Sequence, residues 1–207
     1  MIYYTADLHF GNGKLLKTSR ACFSSGDEMN ETIIRNWNST VTREDTVYVA
    51  GDVGYNGGPF PGRYLARLQG HKHLIRGNHD TAMEGQERLF DYFESVTDLL
   101  EIDDGGYHIT ICHYPIVYIQ SGYMVHGHIH KPEGKTFEIL RGLQRVMNAG
   151  MDRNDFRPVT LAQLIENNRL FYRDSTRGEP TEKMKNRRPG AGRWKADFKP
   201  LPVKREG

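Results

Sequence analysis

Three short apolar runs in the first 80 residues each end in a cluster of polar side chains. The runs span residues 2–6, 46–50 and 72–76, and segments with apolar residues at helical spacing lie between them. This alternation of strand and helix predicts a parallel sheet. Because the carboxyl ends of parallel strands lie along one edge of a sheet, we expect the polar clusters to meet there.

The remaining elements follow from periodicity and turn residues. Helices are predicted over residues 27–41, 83–92 and 161–168, and Pro61 can begin a further short helix. Each of these assignments places the apolar side chains of the segment on one helical face.

The middle of the chain carries strand signals. Residues 96–102 and 107–112 flank an acidic turn that contains glycine, which predicts a β-hairpin. Residues 123–126 form a further apolar run, and residues 135–140 and 144–148 are predicted as another pair of strands. We therefore expect a layered α/β fold in which two sheets pack together with helices outside.

Side chains that can bind metals follow five of the predicted strands. They are Asp7, His9, Asp52, Asn78, His79, His113, His128 and His130. Carboxylates, an amide oxygen and imidazoles, without a thiolate, suit Mn²⁺, Fe, Zn²⁺ or Ni²⁺ better than a soft metal. These are too many ligands for one four-coordinate ion and suit two ions that share a carboxylate. Spacing alone leaves open whether His128 and His130 bind one ion together or one ion each.

Each segment alone has an ordinary explanation. Asp7 and Asp52 can cap strands, and His113 can be a hydrogen-bonded core histidine. A metal site is favoured because all five segments occur at strand ends, and glycine accompanies three of them. The other histidines lack this pattern and are interpreted as structural or exposed: His71, His73, His108 and His126.

Taken together, the five segments resemble the signature of the calcineurin-like metallophosphoesterases, most closely the small single-domain bacterial and phage members. The matching segments are Asp7-x-His9, Gly51-Asp52, Gly77-Asn78-His79-Asp80, His113 and Gly127-His128-x-His130. The resemblance covers about residues 1–155. It implies a two-sheet β-sandwich flanked by helices, with four layers in the order α/β/β/α.

The resemblance also implies two divalent ions, with manganese as the first choice and iron, zinc or nickel as alternatives. The first ion would take three ligands: Asp7, His9 and His130. The second would take three others: Asn78, His113 and His128. Asp52 would bridge the two ions, and a hydroxide held between them would be the nucleophile.

Two further residues receive catalytic roles from the resemblance. His79 would protonate the leaving oxygen as a general acid, and Asp80 would orient His79. The family's protein phosphatases carry an Asp-Arg pair soon after the second segment, and this chain has Val53-Gly54 there instead. This departure argues against a phosphoprotein phosphatase and leaves Lys14, Arg63 and Arg76 as alternative phosphate contacts.

The predicted activity is hydrolysis of a phosphodiester or phosphomonoester, with a small or nucleotide-like substrate. The alternatives are a nuclease-type enzyme that binds nucleic acid through a basic tail, and a non-catalytic metal-binding scaffold. The tail is predicted over residues 176–207, after a catalytic domain over residues 1–175, and contains ten Lys and Arg residues against four acidic residues.

The chain contains two distant cysteines and no apolar run long enough to cross a membrane. It also shows no secretory signal, so a cytoplasmic location and no membrane partner are expected. The oligomeric state stays open at this stage.

Overall fold

The computed structural model describes residues 1–119, 122–130, 133–143 and 145–174. In this part of the chain the strands form two four-stranded sheets. The first is parallel throughout and contains, in spatial order, β1 (Ile2–Thr5), β2 (Thr46–Val49), β3 (His71–Ile75) and β4 (Ser95–Thr97). The second contains β5 (Leu99–Asp104), β6 (Tyr107–Cys112), β7 (Tyr123–His126) and β8 (Val146–Asn148). In that sheet β5 runs antiparallel to β6, whereas β6, β7 and β8 run parallel.

Four α-helices accompany the sheets in the described residues. They are α1 (Gly26–Asn38), α2 (Gly62–Leu65), α3 (Gly134–Arg141) and α4 (Leu161–Asp174). Short 3₁₀ helices span Gly13–Lys17, Gln86–Asp91 and Met151–Arg153. None of the described helices has both the length and the apolar character that a membrane crossing requires.

Three apolar clusters define the order of the layers. The first joins α1 to the first sheet, where Trp37 of α1 and Val47 of β2 are fully buried. The second lies between the sheets and includes Ile75 of β3 and Ile111 of β6. The third joins the far face of the second sheet to Leu140 of α3. Because successive strand side chains point to opposite faces, each sheet covers two clusters, and the α/β/β/α fold expected from the sequence is confirmed.

The hairpin prediction is confirmed for β5 and β6, whose register pairs Asp104 with Tyr107. Gly105 and Gly106 turn the chain with φ of 59° and 85°, a left-handed conformation that suits a two-residue hairpin. The predicted strand over residues 96–102 is wrong as a single element. It divides into β4 of the first sheet and β5 of the second, so the chain crosses between the sheets at residue 98.

Two predictions of element type are wrong. Residues 135–140 lie in helix α3, because the two side chains that they bury, Phe137 and Leu140, are three residues apart and share a helical face. Residues 83–92 contain only the 3₁₀ helix Gln86–Asp91, which begins after Gly85 in a left-handed conformation. Of the second predicted pair only residues 146–148 form a strand, β8, and it runs parallel to β7.

Helix boundaries differ slightly from those predicted. Helix α1 is capped by Ser25, whose hydroxyl accepts the N–H of Glu28, and it ends at Asn38 rather than at residue 41. Helix α4 continues to Asp174, beyond the predicted end at residue 168. The predicted basic tail, residues 176–207, lies outside the described residues.

Candidate metal centre

The ends of five strands supply the predicted metal ligands. Asp7 and His9 follow β1, Asp52 follows β2, and Asn78 follows β3 in the parallel first sheet. In the second sheet the ligand-bearing strands are also parallel, and they end next to three further candidates: His113, His128 and His130. The chain therefore brings together residues that are more than 120 positions apart.

The first group of ligand atoms combines Asp7, His9 and His130, and these atoms all lie within 4.8 Å of one another. The Nε2 atoms of His9 and His130 are 3.1 Å apart. Asp7 Oδ1 lies 3.9 Å from His9 Nε2 and 3.8 Å from His130 Nε2. Two imidazole nitrogens and a carboxylate oxygen that converge in this way fit a divalent cation.

The second group combines Asp52, His113 and His128 under the same distance limit of 4.8 Å. Asn78 completes it, because its Oδ1 lies 3.1 Å from His113 Nε2 and 3.0 Å from His128 Nδ1. His128 therefore faces the group through Nδ1, whereas His113 faces it through Nε2.

Asp52 lies between the two groups. Its Oδ2 is 3.4 Å from His113 Nε2 and 3.7 Å from His9 Nε2, and the side chain is almost completely buried. A third set of atoms within the distance limit, formed by His9, Asp52 and His79, also contains this carboxylate. The Asp52 carboxylate thus lies within 4 Å of an imidazole nitrogen of each group.

Hydrogen bonds on the far side of three rings fix which nitrogen faces the centre. His9 Nδ1 donates to the carbonyl of Gly54 at 3.0 Å, and His113 Nδ1 donates to the carbonyl of Ala50 at 2.8 Å. His130 Nδ1 donates to Asp152 Oδ2 at 2.6 Å. Each ring therefore presents Nε2 to the centre, which is the outer-contact arrangement typical of metal-binding histidines.

Arg20 and Asp152 support the first group, and sequence reasoning missed both. The fully buried Arg20 guanidinium donates from Nε to Asp152 Oδ1 at 2.8 Å, from Nη1 to the carbonyl of Leu8 at 2.9 Å, and from Nη2 to the carbonyl of Asp7. One side chain therefore braces both the ligand loop after β1 and the carboxylate that holds His130. Arg20 lies in a polar loop segment without periodicity, so its sequence context gives no signal of this role.

The backbone at the centre is strained. Within the described residues, positive φ occurs at six non-glycine positions, and four of them are predicted ligands: Asp7, His9, Asp52 and His128, at 49° to 68°. Such conformations cost about 1–3 kcal/mol each and tend to occur at functional sites. Gly77 allows a close approach as well, because a Cβ atom there would collide with the carboxylate of Asp52.

The sequence model of the calcineurin-like phosphoesterase family matches residues 1–180. The chain belongs to this family. Membership implies metal-dependent hydrolysis of phosphate esters, and the converging Asp and His side chains fit the metal site that this chemistry requires.

Individual relatives are similar over most of their length. An uncharacterised protein of Methanocaldococcus jannaschii is 29% identical over 167 residues, which covers 80% of this chain and 89% of the relative. The Gene 66 protein of Mycobacterium phage L5 is 26% identical over 72% of this chain and 86% of its own length. The crystal structure of a protein of unknown function from Aquifex aeolicus superposes with a TM-score of 0.63 at 25% identity, over 80% of this chain and 98% of that chain.

The contacts of His79 and Asp80 differ from those that the family resemblance implies. The Asp80 carboxylate accepts the backbone N–H groups of Gly77, Asp52 and Val53 at 2.7–2.8 Å, so it joins the loops after β2 and β3. The His79 ring is instead positioned by the N–H of Asn56, which donates to Nδ1 at 2.7 Å. Asn56 therefore contacts the ring, whereas Asp80 holds the loop that carries His79, and the catalytic role of Asp80 stays a prediction.

The titratable side chains of the candidate metal centre shift one another's pKa values. Burial alone would lower the pKa of His113, but its hydrogen bond and charge interaction with Asp52 raise that pKa to about 9. Burial likewise opposes the ionisation of Asp52, and His113 outweighs it and holds the Asp52 pKa below the usual value. The buried His9 has a pKa lowered to about 3, by desolvation first and by Arg20 next. A metal ion that binds His113 near neutral pH must therefore displace a proton from it.

The excluded histidines lie apart from the groups of ligand atoms. His126 is fully buried and its Nδ1 donates to the carbonyl of Gly127 at 2.7 Å, whereas His71 is exposed and pairs with Glu94.

Among the suggested phosphate contacts, Arg76 forms a bidentate pair with Asp98 and Arg63 donates to the Tyr64 hydroxyl.

Replacement of Asp152 by asparagine should weaken metal binding to the group of Asp7, His9 and His130 by ~10–100-fold, the usual effect of losing an outer contact. The amide no longer supplies the carboxylate that accepts the His130 Nδ1–H. Stepwise Mn²⁺ titration by calorimetry measures the effect, and Asp98→Asn, at an exposed carboxylate, is the matched control. Equal weakening of both binding steps, or of neither, would contradict this role.

Proposed function

We propose that this protein hydrolyses phosphate esters with two divalent metal ions. One ion would be held by Asp7, His9 and His130, and the other by three residues of the second group: Asn78, His113 and His128. Asp52 would be shared between them. The observation that carries the proposal is the position of the Asp52 carboxylate, at 3.7 Å from the nearest imidazole nitrogen of one group and 3.4 Å from that of the other.

When bound, a pair of divalent ions supplies a nucleophile at neutral pH and offsets the charge that develops on the phosphoryl oxygens. The protein's own contribution is to hold the ligands in place before substrate arrives. The outer hydrogen bonds of His9, His113 and His130 and the buried Arg20 support this preorganisation. Burial of Asp7, His9 and Asp52 removes these side chains from bulk water, which strengthens the charge interactions among them.

His79 is the proposed proton donor to the leaving oxygen. Its side chain is 31% exposed, compared with 21% for the proposed ligand His130, and its Nε2 lies 4.0 Å from Asp52 Oδ2. Because Nδ1 accepts the N–H of Asn56, the neutral ring carries its proton on Nε2, the atom that faces the centre. Full proton transfer from Nε2 would require a ring protonated on both nitrogens, and Nδ1 would then no longer accept the Asn56 N–H.

The proposal is tested with p-nitrophenyl phosphate and bis(p-nitrophenyl) phosphate. Chelator-treated protein should be inactive, and Mn²⁺ should restore hydrolysis of at least one ester. The Asp52→Ala variant, prepared in parallel, controls for contaminating phosphatases. Absence of hydrolysis with Mn²⁺, Fe²⁺, Zn²⁺ and Ni²⁺ would overturn the proposal, and the relative rates on the two esters decide between a diesterase and a monoesterase.

The basic residues 176–207 support a second candidate, a nuclease-type activity in which the tail binds the phosphate backbone. Removal of these residues would then reduce activity on oligonucleotides and leave small esters unaffected. Equal activity of the truncated and complete chains on both substrates would dismiss this candidate.

A further inference from the structure

We propose that Tyr114 forms a stacking platform beside the metal centre and that the substrate is a nucleoside phosphate whose base stacks on it. The inference rests on the proposed function and names the substrate class of that site. It begins with the loop that follows β6, which places aromatic surface next to two of the candidate ligands.

Tyr114 directly follows the candidate ligand His113. Its ring centroid lies 5.2 Å from that of His113 and 4.9 Å from that of His128, with interplanar angles of 71° and 66°. Two imidazoles thus anchor the tyrosine ring in edge contacts. The residue nevertheless remains 48% exposed, so part of its surface is open to solvent beside these two candidate ligands.

Some apolar residues of the same loop pack against the second sheet, and others are exposed to solvent. Ile116 and Ile119 pack against the cluster around Met124, and this contact holds the loop on the second sheet. Val117 and Tyr118 point outward and are 65% and 81% exposed. Exposed apolar side chains that occur together beside a polar site commonly mark a binding surface.

The chemistry of the loop favours a flat, uncharged ring as its occupant. Residues 114–119 read Tyr-Pro-Ile-Val-Tyr-Ile and contain no charged side chain. A sugar or a peptide needs several hydrogen-bonding partners, whereas every nucleobase has a π-face that stacks on an aromatic side chain. The phosphate would bind the metal centre while the base covers Tyr114.

The placement also distinguishes the two substituents of a phosphodiester. His79 lies beside His9, with ring centroids 5.1 Å apart, whereas Tyr114 lies beside His113 and His128. The leaving oxygen would face His79, and the nucleoside that remains on the phosphate would lie over Tyr114.

The test measures binding without turnover. Adenosine 5′-monophosphorothioate is titrated calorimetrically into the Mn²⁺-loaded protein, with inorganic thiophosphate as the ligand that lacks a base. Tyr114→Ala should weaken binding of the adenosine compound by ~5- to 150-fold, the usual range for one base–aromatic stack, and leave thiophosphate binding unchanged. Tyr114→Phe should retain the wild-type affinities, and Phe90→Ala, at a 66% exposed aromatic side chain outside the centre, is the matched control.

If Tyr114→Ala weakened the binding of both ligands equally, the inference would be overturned, because Tyr114 would then only support the imidazoles. The inference would also be overturned if the wild-type protein bound the adenosine compound no more tightly than thiophosphate. Failure of the proposed function is a separate result, namely absence of ester hydrolysis with any metal. The measured affinities for the adenosine compound and thiophosphate test the stacking role of Tyr114 whether or not hydrolysis is observed.

Discussion

Replacement of His79 by alanine should lower kcat by ~10²–10⁴-fold while both metal ions remain bound, since this is the usual contribution of general acid catalysis. The two proposed sets of ligands do not include His79, and its side chain is 31% exposed, compared with 21% for His130. The loss should be greatest for alkyl esters, whose leaving alkoxide needs a proton. It should be smallest for p-nitrophenyl esters, whose leaving group departs readily without one.

Metal content and kinetics on both classes of ester separate this role from the alternative. His79 also belongs to a set of atoms, with His9 and Asp52, that could hold a metal ion. If the His79→Ala variant loses one equivalent of Mn²⁺, His79 is a ligand rather than a proton donor. His71→Ala, at an exposed histidine that pairs with Glu94, is the matched control and should retain wild-type kcat.

The convergence of the candidate ligands is predictable from the sequence because their positions obey a simple rule. Asp7, Asp52 and Asn78 each follow a strand of a parallel sheet, and parallel strands bring such positions to one edge whatever the details of packing. The four-layer order is predictable for the same reason, since strands with apolar residues on both faces require cover on both faces.

The outer contacts are not predictable in this way. Arg20 and Asp152 meet across 132 positions, and Asn56 acts through its backbone N–H rather than through its side chain. Such contacts depend on loop paths, which leave no periodic pattern in the sequence. The contacts of Asp80 are equally hidden in the sequence, because only the fold reveals that its carboxylate accepts three backbone N–H groups.

The short apolar segments explain the remaining errors of fold prediction. Residues 135–140 are compatible with either a strand or a helix, and the decision depends on which side chains the second sheet buries. Phe137 and Leu140 reach that sheet from one helical face. Periodicity in so short a window cannot supply this information.

Replacement of Asp52 by alanine should weaken both metal-binding steps at once. The side chain is 2% exposed and its Oδ2 lies 3.7 Å from His9 Nε2 and 3.4 Å from His113 Nε2, so both groups lose the same carboxylate. The effect at each step should exceed the ~10–100-fold loss caused by removing an outer contact. Hydrolysis should fall to the level of chelator-treated protein. Calorimetric titration with Mn²⁺ and assay of bis(p-nitrophenyl) phosphate hydrolysis measure the two losses.

Variants that remove a ligand of only one group test whether Asp52 is shared by both groups. His130→Ala should abolish only the step assigned to Asp7, His9 and His130, and His128→Ala should abolish only the other step. Asp52→Asn keeps the shape of the side chain and removes its charge, so it distinguishes loss of a ligand from collapse of the surrounding loops. Thermal unfolding of the metal-free variants checks that each one folds. If Asp52→Ala and His130→Ala lose the same single equivalent of Mn²⁺, Asp52 serves one ion only and the two-ion proposal with a shared carboxylate is wrong.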